Sequence, residues 1–443
     1  MLGTQTEHHA ASTAPKRDRF GNVVDPKVGY ARGRVITGEV AEAQRQQRAY
    51  AIVRDRFARF GDAGLFNLTG LIRAFPYAAG DEDAMRSYVH FIARSQGELE
   101  ALALQRMGGE PARHDGFLST RVTAAMLAIM LTLVRPHDRV VSLVAADRSH
   151  PSVKQAVDLA QGRFEEVTEI EDFVAALARE PRPAMVVLTL ISPSKNHLPR
   201  AVTERAVAEA RRAGALVVLD DAHMAARISL FDEPPALAFS APDVAVWSLD
   251  KHLPGPRSGF VAGARDLIQR IRARALSLGV EAQLGQYLAG RHAVEAFDPE
   301  PIRAAARLSE RVLKALGPEL EGKGYLAGAG IAVTGEDFLE IALRRTRRNG
   351  SVLVPIEAVA FASMKILESH GAVMIPAVGM PGAACTFRLM LYPDGERFGE
   401  RNIRDAWRLG LDALCGALDD ADAVRAMLHG GQRPSAFPIS SAG

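Results

Sequence analysis

The sequence predicts an α/β protein with a mostly parallel sheet between helices, followed by a smaller α+β domain. Four near-continuous apolar runs lack the polar alternation of half-exposed strands; they lie at 139–144, 185–190, 216–219 and 244–247. Such runs are typical of parallel strands buried on both faces. The segments between these runs are long enough for crossover helices. A chain of 443 residues also exceeds what a single hydrophobic core usually holds.

We predict four segments along the chain. They are an N-terminal arm and helix at 1–79, a large α/β domain at 80–285, a small α+β domain at 286–430 and a loose tail at 431–443. Hydrophobic periodicity predicts helices at 39–60, 83–107, 152–161, 202–213, 302–316, 356–369 and 403–417. A strand is predicted at 386–392 in the small domain. Residues 257–263 are expected to add an antiparallel strand to the main sheet.

Composition and charge narrow the class of protein. The formal net charge is only +2, so no global positive field favours a nucleic-acid partner, and we expect none. Cys385 and Cys415 cannot build a disulfide framework, and their spacing fits no zinc motif. We therefore predict no metal site and a cytoplasmic location. The longest apolar run, 124–134, is too short to cross a bilayer, and the polar N-terminus lacks the apolar region of a secretory signal.

The clearest functional signal lies at the ends of two predicted strands. One ends in Asp220-Asp-Ala-His223, and about thirty residues later the next ends in Ser248-Leu-Asp-Lys251. Because residues just past the carboxyl ends of parallel strands face the ligand crevice, we expect Asp220 and Lys251 to share one site. A lysine there can form a Schiff base with pyridoxal phosphate and later act as a base at the substrate α-carbon. A carboxylate beside the pyridine nitrogen keeps that nitrogen protonated, so the ring withdraws electrons.

Two residues next to Asp220 suit the same cofactor. Ala222 is small enough to pack flat on the cofactor ring, and His223 is placed to reach the phenolic oxygen or the substrate. An aspartate at a strand end, taken alone, commonly caps a helix, and a single lysine after a strand is usually solvated. Their occurrence together, in this order and setting, favours the cofactor site.

These motifs resemble fold-type I pyridoxal-phosphate enzymes, the aspartate aminotransferase superfamily. The Asp220-Asp-Ala-His223 strand end is similar to the D-D/E-A-H pattern of that family. The run from Ser248 to Gly263 resembles the S-x-D-K-x-x-G-G-P-x-x-G pattern of the seryl-tRNA selenium transferase group, which includes ammonia-lyase relatives. Asn67-Leu-Thr-Gly70 resembles the N-x-T-G of the same group. The resemblance covers roughly residues 65 to 265 and implies a sheet of the seven-stranded type, pyridoxal phosphate as cofactor and a homodimer.

A phosphate site is predicted where an apolar helix opens after residue 118. Backbone amides and the positive dipole end of a helix hold a phosphate dianion. The resemblance assigns the phosphate cup to Thr120, Arg121 and Val122, with a further hydroxyl from Ser119, Thr123 or Ser248. The glycine usual in this loop of the family is absent. Simple N-capping is the structural alternative for the two hydroxyl residues before Arg121.

Four more residues are predicted at the same rim. His150 occupies a position where this fold commonly stacks an aromatic ring on the cofactor, with an added cation–π interaction if protonated. Histidine there resembles decarboxylases, aldolases and α-oxoamine synthases, and it departs from the selenium transferase group. Ser192 or Asn196 is expected near the cofactor phenolate or the substrate. Arg388, inside an apolar strand, is expected to clamp a substrate carboxylate, with an internal salt bridge as the structural alternative.

Together these residues predict an enzyme that binds an amino acid as an external aldimine and breaks a bond at its α-carbon. The expected catalytic residues are Lys251, Asp220, His150 and His223. The histidine at the stacking position favours lyase-type cleavage, elimination or carbon-group transfer. An aminotransferase, an α-oxoamine synthase and an oxidase or oxygenase are the open alternatives. A regulator on the same fold is disfavoured, since the first 80 residues show no helix-turn-helix with a basic patch. In the implied homodimer, Gln283 and Gln286 could complete the neighbouring site.

Overall fold

The computed structural model describes residues 15–146, 148–239, 241–379 and 383–430. Its strands are β1 Val24–Asp25, β2 Tyr30–Ala31, β3 Phe66–Asn67, β4 His114–Ser119, β5 Arg139–Val144, β6 Arg163–Val167, β7 Met185–Thr189, β8 Leu216–Asp220, β9 Val244–Ser248, β10 Gly259–Ala264, β11 Tyr325–Leu326, β12 Gly330–Thr334, β13 Ala372–Val373 and β14 Thr386–Met390. The predicted tail at 431–443 and the first fourteen residues of the predicted arm lie outside the described residues.

The helices alternate with the strands in the first part of the chain and dominate the last part. They are α1 Glu39–Phe60, α2 Asp81–Met85, α3 Tyr88–Arg94, α4 Glu98–Arg106, α5 Val122–Leu133, α6 Pro151–Leu159, α7 Ile170–Ala178, α8 Arg200–Arg212, α9 Met224–Phe231, α10 Arg265–Ser277, α11 Leu284–Glu295, α12 Glu300–Leu320, α13 Gly335–Thr346, α14 Pro355–His370, α15 Ile375–Val378, α16 Gly395–Phe398, α17 Glu400–Ala417 and α18 Ala421–His429. Short 3-10 helices occupy Gly61–Gly64 and Ala236–Ala238.

A seven-stranded sheet with the order β4-β10-β9-β8-β7-β5-β6 forms the centre of the large domain. The strand β10 runs antiparallel to both of its neighbours. The other adjacent pairs are parallel. The predicted α/β class, the mostly parallel sheet and the antiparallel strand near 257–263 are therefore confirmed.

Both faces of this sheet are covered, which explains the apolar runs. In β8, Val217 and Leu219 pack into the core on one face, whereas Val218 packs into the core on the other. In β9, Ala245 and Trp247 pack into the first of these cores, whereas Val244 and Val246 pack into the second. Because every residue of these strands meets a core, the first polar side chains appear only where the strands end. That is where the predicted site residues lie.

Two strands of the main sheet were not predicted, and one predicted helix is wrong. The sequence showed no apolar run for β4 or β6, since β4 contains histidine, aspartate and glycine and β6 carries two glutamates at the edge of the sheet. The predicted helix at 83–107 is wrong, because the segment forms three short helices. Ser87 caps α3 by accepting the backbone N–H of His90, and Gly97 has φ of 88°, which a helix does not accommodate.

The C-terminal region is the predicted α+β structure. Its antiparallel sheet has the order β11-β12-β14, and the long helices α12, α14 and α17 appear where they were predicted. An aromatic cluster packs at its centre, with the ring of Phe387 at 4.1 Å from Phe338 and 4.7 Å from Trp407. Ala49 and Ile52 of α1 belong to the same core. The division of the chain at residues 79, 285 and 430 stays a prediction.

Within the described residues, no helix combines the length and apolar character needed to cross a membrane. In the same part of the chain, no group of three or more His, Cys, Asp or Glu side chains forms a candidate metal site.

Candidate active site

Lys251 follows β9, and the segment around Gly70 holds its main chain in place. Ile72 donates its backbone N–H to the carbonyl of Asp250 at 2.9 Å, and His252 donates its own to the carbonyl of Gly70 at 3.2 Å. Burial is the main cause that lowers the pKa of Lys251, although nearby carboxylates raise it in part. A lowered pKa increases the fraction of neutral amine, which is the form that attacks an aldehyde.

Asp220 ends β8 and is 5% exposed. Its Oδ1 has no hydrogen-bond partner among the described residues. Burial raises the pKa of this carboxyl, and the charge of Lys251 opposes that effect. A buried polar atom without a partner costs about 1–3 kcal/mol. The N–H of a bound ligand would satisfy this oxygen and remove that cost.

His223 belongs to a cluster of rings beside Lys251. The Nζ of Lys195 donates to Nε2 of His223 at 2.8 Å, so the neutral ring carries its proton on Nδ1. That Nδ1 has no partner within the described residues. Burial and the charges of Lys195 and Lys251 hold the pKa of His223 well below its usual value. The ring of His252 lies 5.9 Å from that of His223 and 5.7 Å from Tyr392.

His150 caps the start of α6. Its Nδ1 accepts the backbone N–H of Ser152 at 3.2 Å and lies 2.7 Å from the Ser152 hydroxyl. His150 is exposed by its residue surface area, although the protein around the ring still desolvates it. This desolvation, with the positive charges of Lys251 and Arg148, lowers the pKa of His150 to about 3. The ring is therefore neutral near pH 7, so the predicted contact with the cofactor would be stacking without a cation–π contribution.

The predicted phosphate cup lies at the start of α5. Arg121 is its N-cap residue and Val122 its first residue, so the amides that begin at Val122 form the positive end of the helix. The N–H and hydroxyl of Thr120 both donate to the carbonyl of Val280, at 2.9 and 3.2 Å. The Ser119 hydroxyl also donates there. Because these donors already bind the carbonyl of Val280, Thr120 and Ser119 are weaker candidates for phosphate ligands. Arg121 and Val122 are the stronger candidates.

Ser248 and Gly259 position the elements around this cup. The hydroxyl of Ser248 donates to Oδ1 of Asp250 at 2.6 Å, so it supports that carboxylate and is not free to donate to a phosphate. A Cβ added to Gly259 would lie 2.6 Å from the backbone nitrogen of Val122. Only glycine therefore allows β10 to approach the start of α5 this closely. Ala222 accepts the backbone N–H of Ser248 at 3.3 Å and is buried, as a residue beneath a flat ring would be.

A tight turn after β7 contains the predicted Ser192 and Asn196. Ser192 and Asn196 close the turn through a backbone bond of 2.9 Å, and the Ser192 hydroxyl accepts the N–H of Asn196 at 3.1 Å. Ser192 is fully buried by this role. Arg388, on β14, donates to the carbonyl of Pro193 at 2.7 Å and is 5% exposed. Its charge is close enough to lower the pKa of Lys251.

The N-x-T-G segment explains how the two domains meet at the site. Thr69 and Asn67 bond to each other and to the carbonyl of Leu71, which fixes a tight turn. Gly70 has φ of 69°, and an added Cβ would lie within 3.4 Å of Met390 and His252. The motif is therefore a structural clamp beside Lys251.

Comparison with known proteins identifies the family. Residues 327–399 match a family model described as the UPF0425 C-terminal domain. A UPF0425 pyridoxal phosphate-dependent protein of Methanothermobacter thermautotrophicus is 32% identical over 404 residues, which cover 89% of this chain and 100% of the relative. This chain belongs to the UPF0425 pyridoxal phosphate-dependent family. A 2-methylserine hydroxymethyltransferase of Aminobacter sp. is 28% identical over 221 residues, which are 46% of this chain and 50% of that protein.

Solved structures similar to the UPF0425 chain share the fold-type I architecture. A complex of SepCysS with the SepCysE N-terminal domain gives a TM-score of 0.56 at 13% identity, covering 82% of this chain and 98% of that one. A serine palmitoyltransferase from S. paucimobilis gives 0.54 at 17% identity, with 83% and 84% covered. An aspartate aminotransferase from Thermus thermophilus gives 0.53 at 18% identity, with 83% and 96% covered. The predicted fold type is confirmed.

The UPF0425 residues fit pyridoxal phosphate, the cofactor that the family names state. The unpartnered Oδ1 of Asp220 suits a protonated ring nitrogen. The amine of Lys251 is buried and has a lowered pKa, as Schiff-base formation needs. The helix start at Val122 suits a phosphate. The individual roles of these residues stay predictions.

Some of the site was missed by sequence reasoning. Lys195 and His252 lie beside His223 in the site but are not among the predicted site residues. Both follow strand ends in the predicted crevice, which is the signal that could have identified them. Arg73 was also missed; its Nε lies 3.4 Å from Asp250. Conversely, Gln286 caps α11 and donates to the carbonyl of Arg257 in its own chain at 3.0 Å. That internal role accounts for Gln286 without a neighbouring subunit.

Proposed function

We propose that this UPF0425 protein binds an amino acid at the carboxyl edge of its main sheet and breaks a bond at the α-carbon, by lyase-type cleavage or by transfer of a carbon group. One observation carries the proposal: the buried amine of Lys251 and the unpartnered Oδ1 of Asp220 lie at the same edge of the sheet. The bound cofactor supplies an electron sink for the negative charge that develops at the α-carbon.

Each side chain has a physical task in this proposal. Lys251 moves a proton at the α-carbon, because its lowered pKa leaves more of it in the basic form. Asp220 holds the ring nitrogen protonated, since a cationic partner stabilises the carboxylate that burial alone disfavours. His150, being neutral, stacks on the ring. Arg388 orients the α-carboxylate, and the Nδ1–H of His223 donates to an oxygen of the cofactor or substrate.

The choice of cleavage or carbon-group transfer over transamination has two supports. The first is histidine at position 150, where many transaminases of this fold carry Phe, Tyr or Trp. The second is the hydroxymethyltransferase relative, whose name describes the transfer of a one-carbon group. The aminotransferase structure is only 18% identical and supports the fold alone.

The experiment is a product survey with purified holoprotein and single amino acids. Ammonia, carbon dioxide, aldehyde, keto acid and peroxide are followed together with the absorbance of the cofactor. We expect catalytic release of a cleavage product while the cofactor stays in its aldehyde form. Stoichiometric conversion of the cofactor to its amine form, with release of a keto acid, would establish transamination instead. Catalytic peroxide release would establish oxidation.

We also propose that the protein is a homodimer. Large apolar side chains are exposed on the segment that follows the clamp beside Lys251; they are Phe75, Tyr77, Met85, Tyr88, Val89 and Ile92, with exposures between 43% and 82%. Six exposed large apolar side chains within eighteen residues support a protein–protein interface on this segment. Light scattering on wild type and on the double variant Tyr88→Glu, Val89→Glu tests this. We expect a dimer for wild type and a monomer for the variant; a monomeric wild type contradicts the proposal.

A cytoplasmic location is likewise proposed. Cys385 and Cys415 are both free thiols, and free thiols persist in a reducing compartment. Fractionation of cells that express the native protein tests the location; recovery outside the cytoplasmic fraction contradicts it.

A further inference from the structure

A lysine outside the sequence motifs lies inside the candidate site. Lys195 is in the turn after β7, and its Nζ donates to Nε2 of His223 at 2.8 Å. Its φ of 74° is in the left-handed region, which is unfavourable for a residue with a Cβ. Residues held in such a conformation need support from their surroundings and cluster at functional sites. The turn around Lys195 has that support.

Three consecutive residues of this turn contact three different elements. The carbonyl of Pro193 accepts from Arg388 of β14 at 2.7 Å. The carbonyl of Ser194 accepts from the hydroxyl of Tyr325 of β11 at 3.4 Å. Lys195 then reaches back to His223 at the end of β8. The turn thus fixes the ammonium of Lys195 and the guanidinium of Arg388 in the same part of the site, beside Lys251.

The charges around the two buried histidines are positive. Lys195, Lys251 and Arg388 each lower the pKa of His223, and the same three cations lower the pKa of His252 to about 3. Both histidines are therefore neutral and cannot add charge near pH 7. An anion entering here meets two cationic side chains in addition to Lys251. A substrate with one carboxylate would pair with only one of those two.

We propose that Lys195 and Arg388 select an amino acid with an anionic side chain. Arg388 binds the α-carboxylate and Lys195 binds the side-chain anion, which is a carboxylate or a phosphate. This inference rests on the proposed function, since it names the substrate class for that site. In this proposal Lys195 contacts the substrate from its position beside Nε2 of His223.

The first test measures binding to the holoprotein by the change in cofactor absorbance. Aspartate, glutamate and O-phosphoserine are compared with asparagine, glutamine and serine. We expect the anionic member of at least one pair to bind about tenfold or more tightly, since a charged hydrogen bond contributes about 1.5–3 kcal/mol. Preference for aspartate or glutamate identifies a carboxylate, and preference for O-phosphoserine identifies a phosphate. Equal binding within all three pairs overturns the inference.

The second test replaces Lys195 by Met, which keeps the length of the side chain and removes its charge. We expect the preference for the anionic member over the neutral one to fall about tenfold, in addition to any change that the loss of the contact with His223 causes equally in both members. Lys195→Arg should restore most of the preference. The matched control is Lys154→Met on α6, which removes an exposed lysine paired with Asp158 at 2.6 Å. Equal weakening of both members would indicate a structural role and contradict the inference.

A third measurement separates this inference from the proposed function. Calorimetric titration with succinate or glutarate, which lack an amine, reports anion binding without reaction at the cofactor. Butyrate is the control with one carboxylate. If the dicarboxylates bind more tightly than butyrate and Lys195→Met removes the difference, the subsite stands even if no bond cleavage is found. If cleavage occurs with neutral amino acids and the dicarboxylates show no advantage, the subsite fails and the proposed function stands.

Discussion

Asp220 and Asp221 are neighbours in the chain and both are buried, yet their surroundings are opposite. Asp221 is fully enclosed and binds the guanidinium of Arg227 through both oxygens, at 2.6 to 3.1 Å. Arg227 also binds Glu233 at 3.1 Å and lies over the ring of Phe239. Asp220 has an oxygen with no partner within the described residues. Arg227 therefore satisfies both oxygens of Asp221, whereas no described residue satisfies Oδ1 of Asp220.

The difference indicates that the two aspartates at this strand end have separate roles. Asp221 is the first residue after β8 and pairs with Arg227 of α9, whereas Oδ1 of Asp220, the last residue of β8, has no partner within the described residues. The paired network of Asp221, Arg227 and Glu233 holds the strand end in position. The oxygen of Asp220 that has no partner within the described residues is available to bind a ligand. We therefore expect changes near Asp220 to affect function and changes near Asp221 to affect stability.

The largest expected effect comes from Lys251→Ala. Removal of the amine should abolish the imine absorbance of the purified protein and its activity, because Lys251 is the amine to which the proposed function assigns the Schiff base, whereas Nζ of Lys195 contacts His223. Absorbance spectra of wild type and variant after addition of pyridoxal phosphate measure this. A Lys251→Ala protein that keeps the imine absorbance and the activity would show that another amine forms the Schiff base. That result would contradict the role proposed for Lys251.

Asp220→Asn should lower the rate by about a hundred- to a thousandfold, the size of the loss when one stabilising polar group is removed from an active site. Single-turnover kinetics with saturating cofactor measure this loss. The Tm of the cofactor-free variant should equal or exceed the Tm of cofactor-free wild type. The reason is that the change removes a buried charge that has no full set of partners. Marked destabilisation would mean that Asp220 is structural like its neighbour.

Arg227→Met should show the opposite result. It leaves the buried carboxylate of Asp221 unpaired and removes one of two partners from Glu233, which keeps His197 at 3.1 Å, so the free energy of unfolding should fall by about 3–5 kcal/mol. Urea unfolding of the cofactor-free protein measures the loss. The double variant Arg227→Met, Asp221→Asn should recover part of it, since one uncompensated charge is removed. Unchanged stability of the single variant would show that the network does not hold the strand end.

The smallest effect concerns His252, whose ring nitrogens have no partner in the described residues. Burial is the main cause that lowers its pKa to about 3 in the folded protein, against 6.5 for an exposed histidine. Between these values the unfolded chain binds more protons, so acid destabilises the fold. From pH 7 to pH 5, cofactor-free wild type should lose roughly 2 kcal/mol more than His252→Leu. Urea titrations at both pH values check this, and equal losses contradict it.

The sequence predicted those features that a short local pattern of residues determines. Apolar runs such as 185–190 predicted buried strands, and the placement of Asp220 and Lys251 after two of them predicted a shared crevice. Lys195 gave no such signal, since its position depends on a turn whose contacts come from residues 325 and 388. The 83–107 helix failed for a similar reason. Its periodicity was correct locally, but Ser87 and Gly97 interrupt it.

The clamp beside Lys251 also ties the C-terminal sheet to the loop of Lys251. Met390 donates its backbone N–H to Leu68, and Gly70 donates to Tyr392, which ties the segment to the C-terminal sheet. Its other bonds tie it to the loop of Lys251. A hinge that opens the crevice without breaking these bonds must rotate about an axis through this segment. Such a pivot changes the width of the entrance far more than the separation of the groups nearest to it.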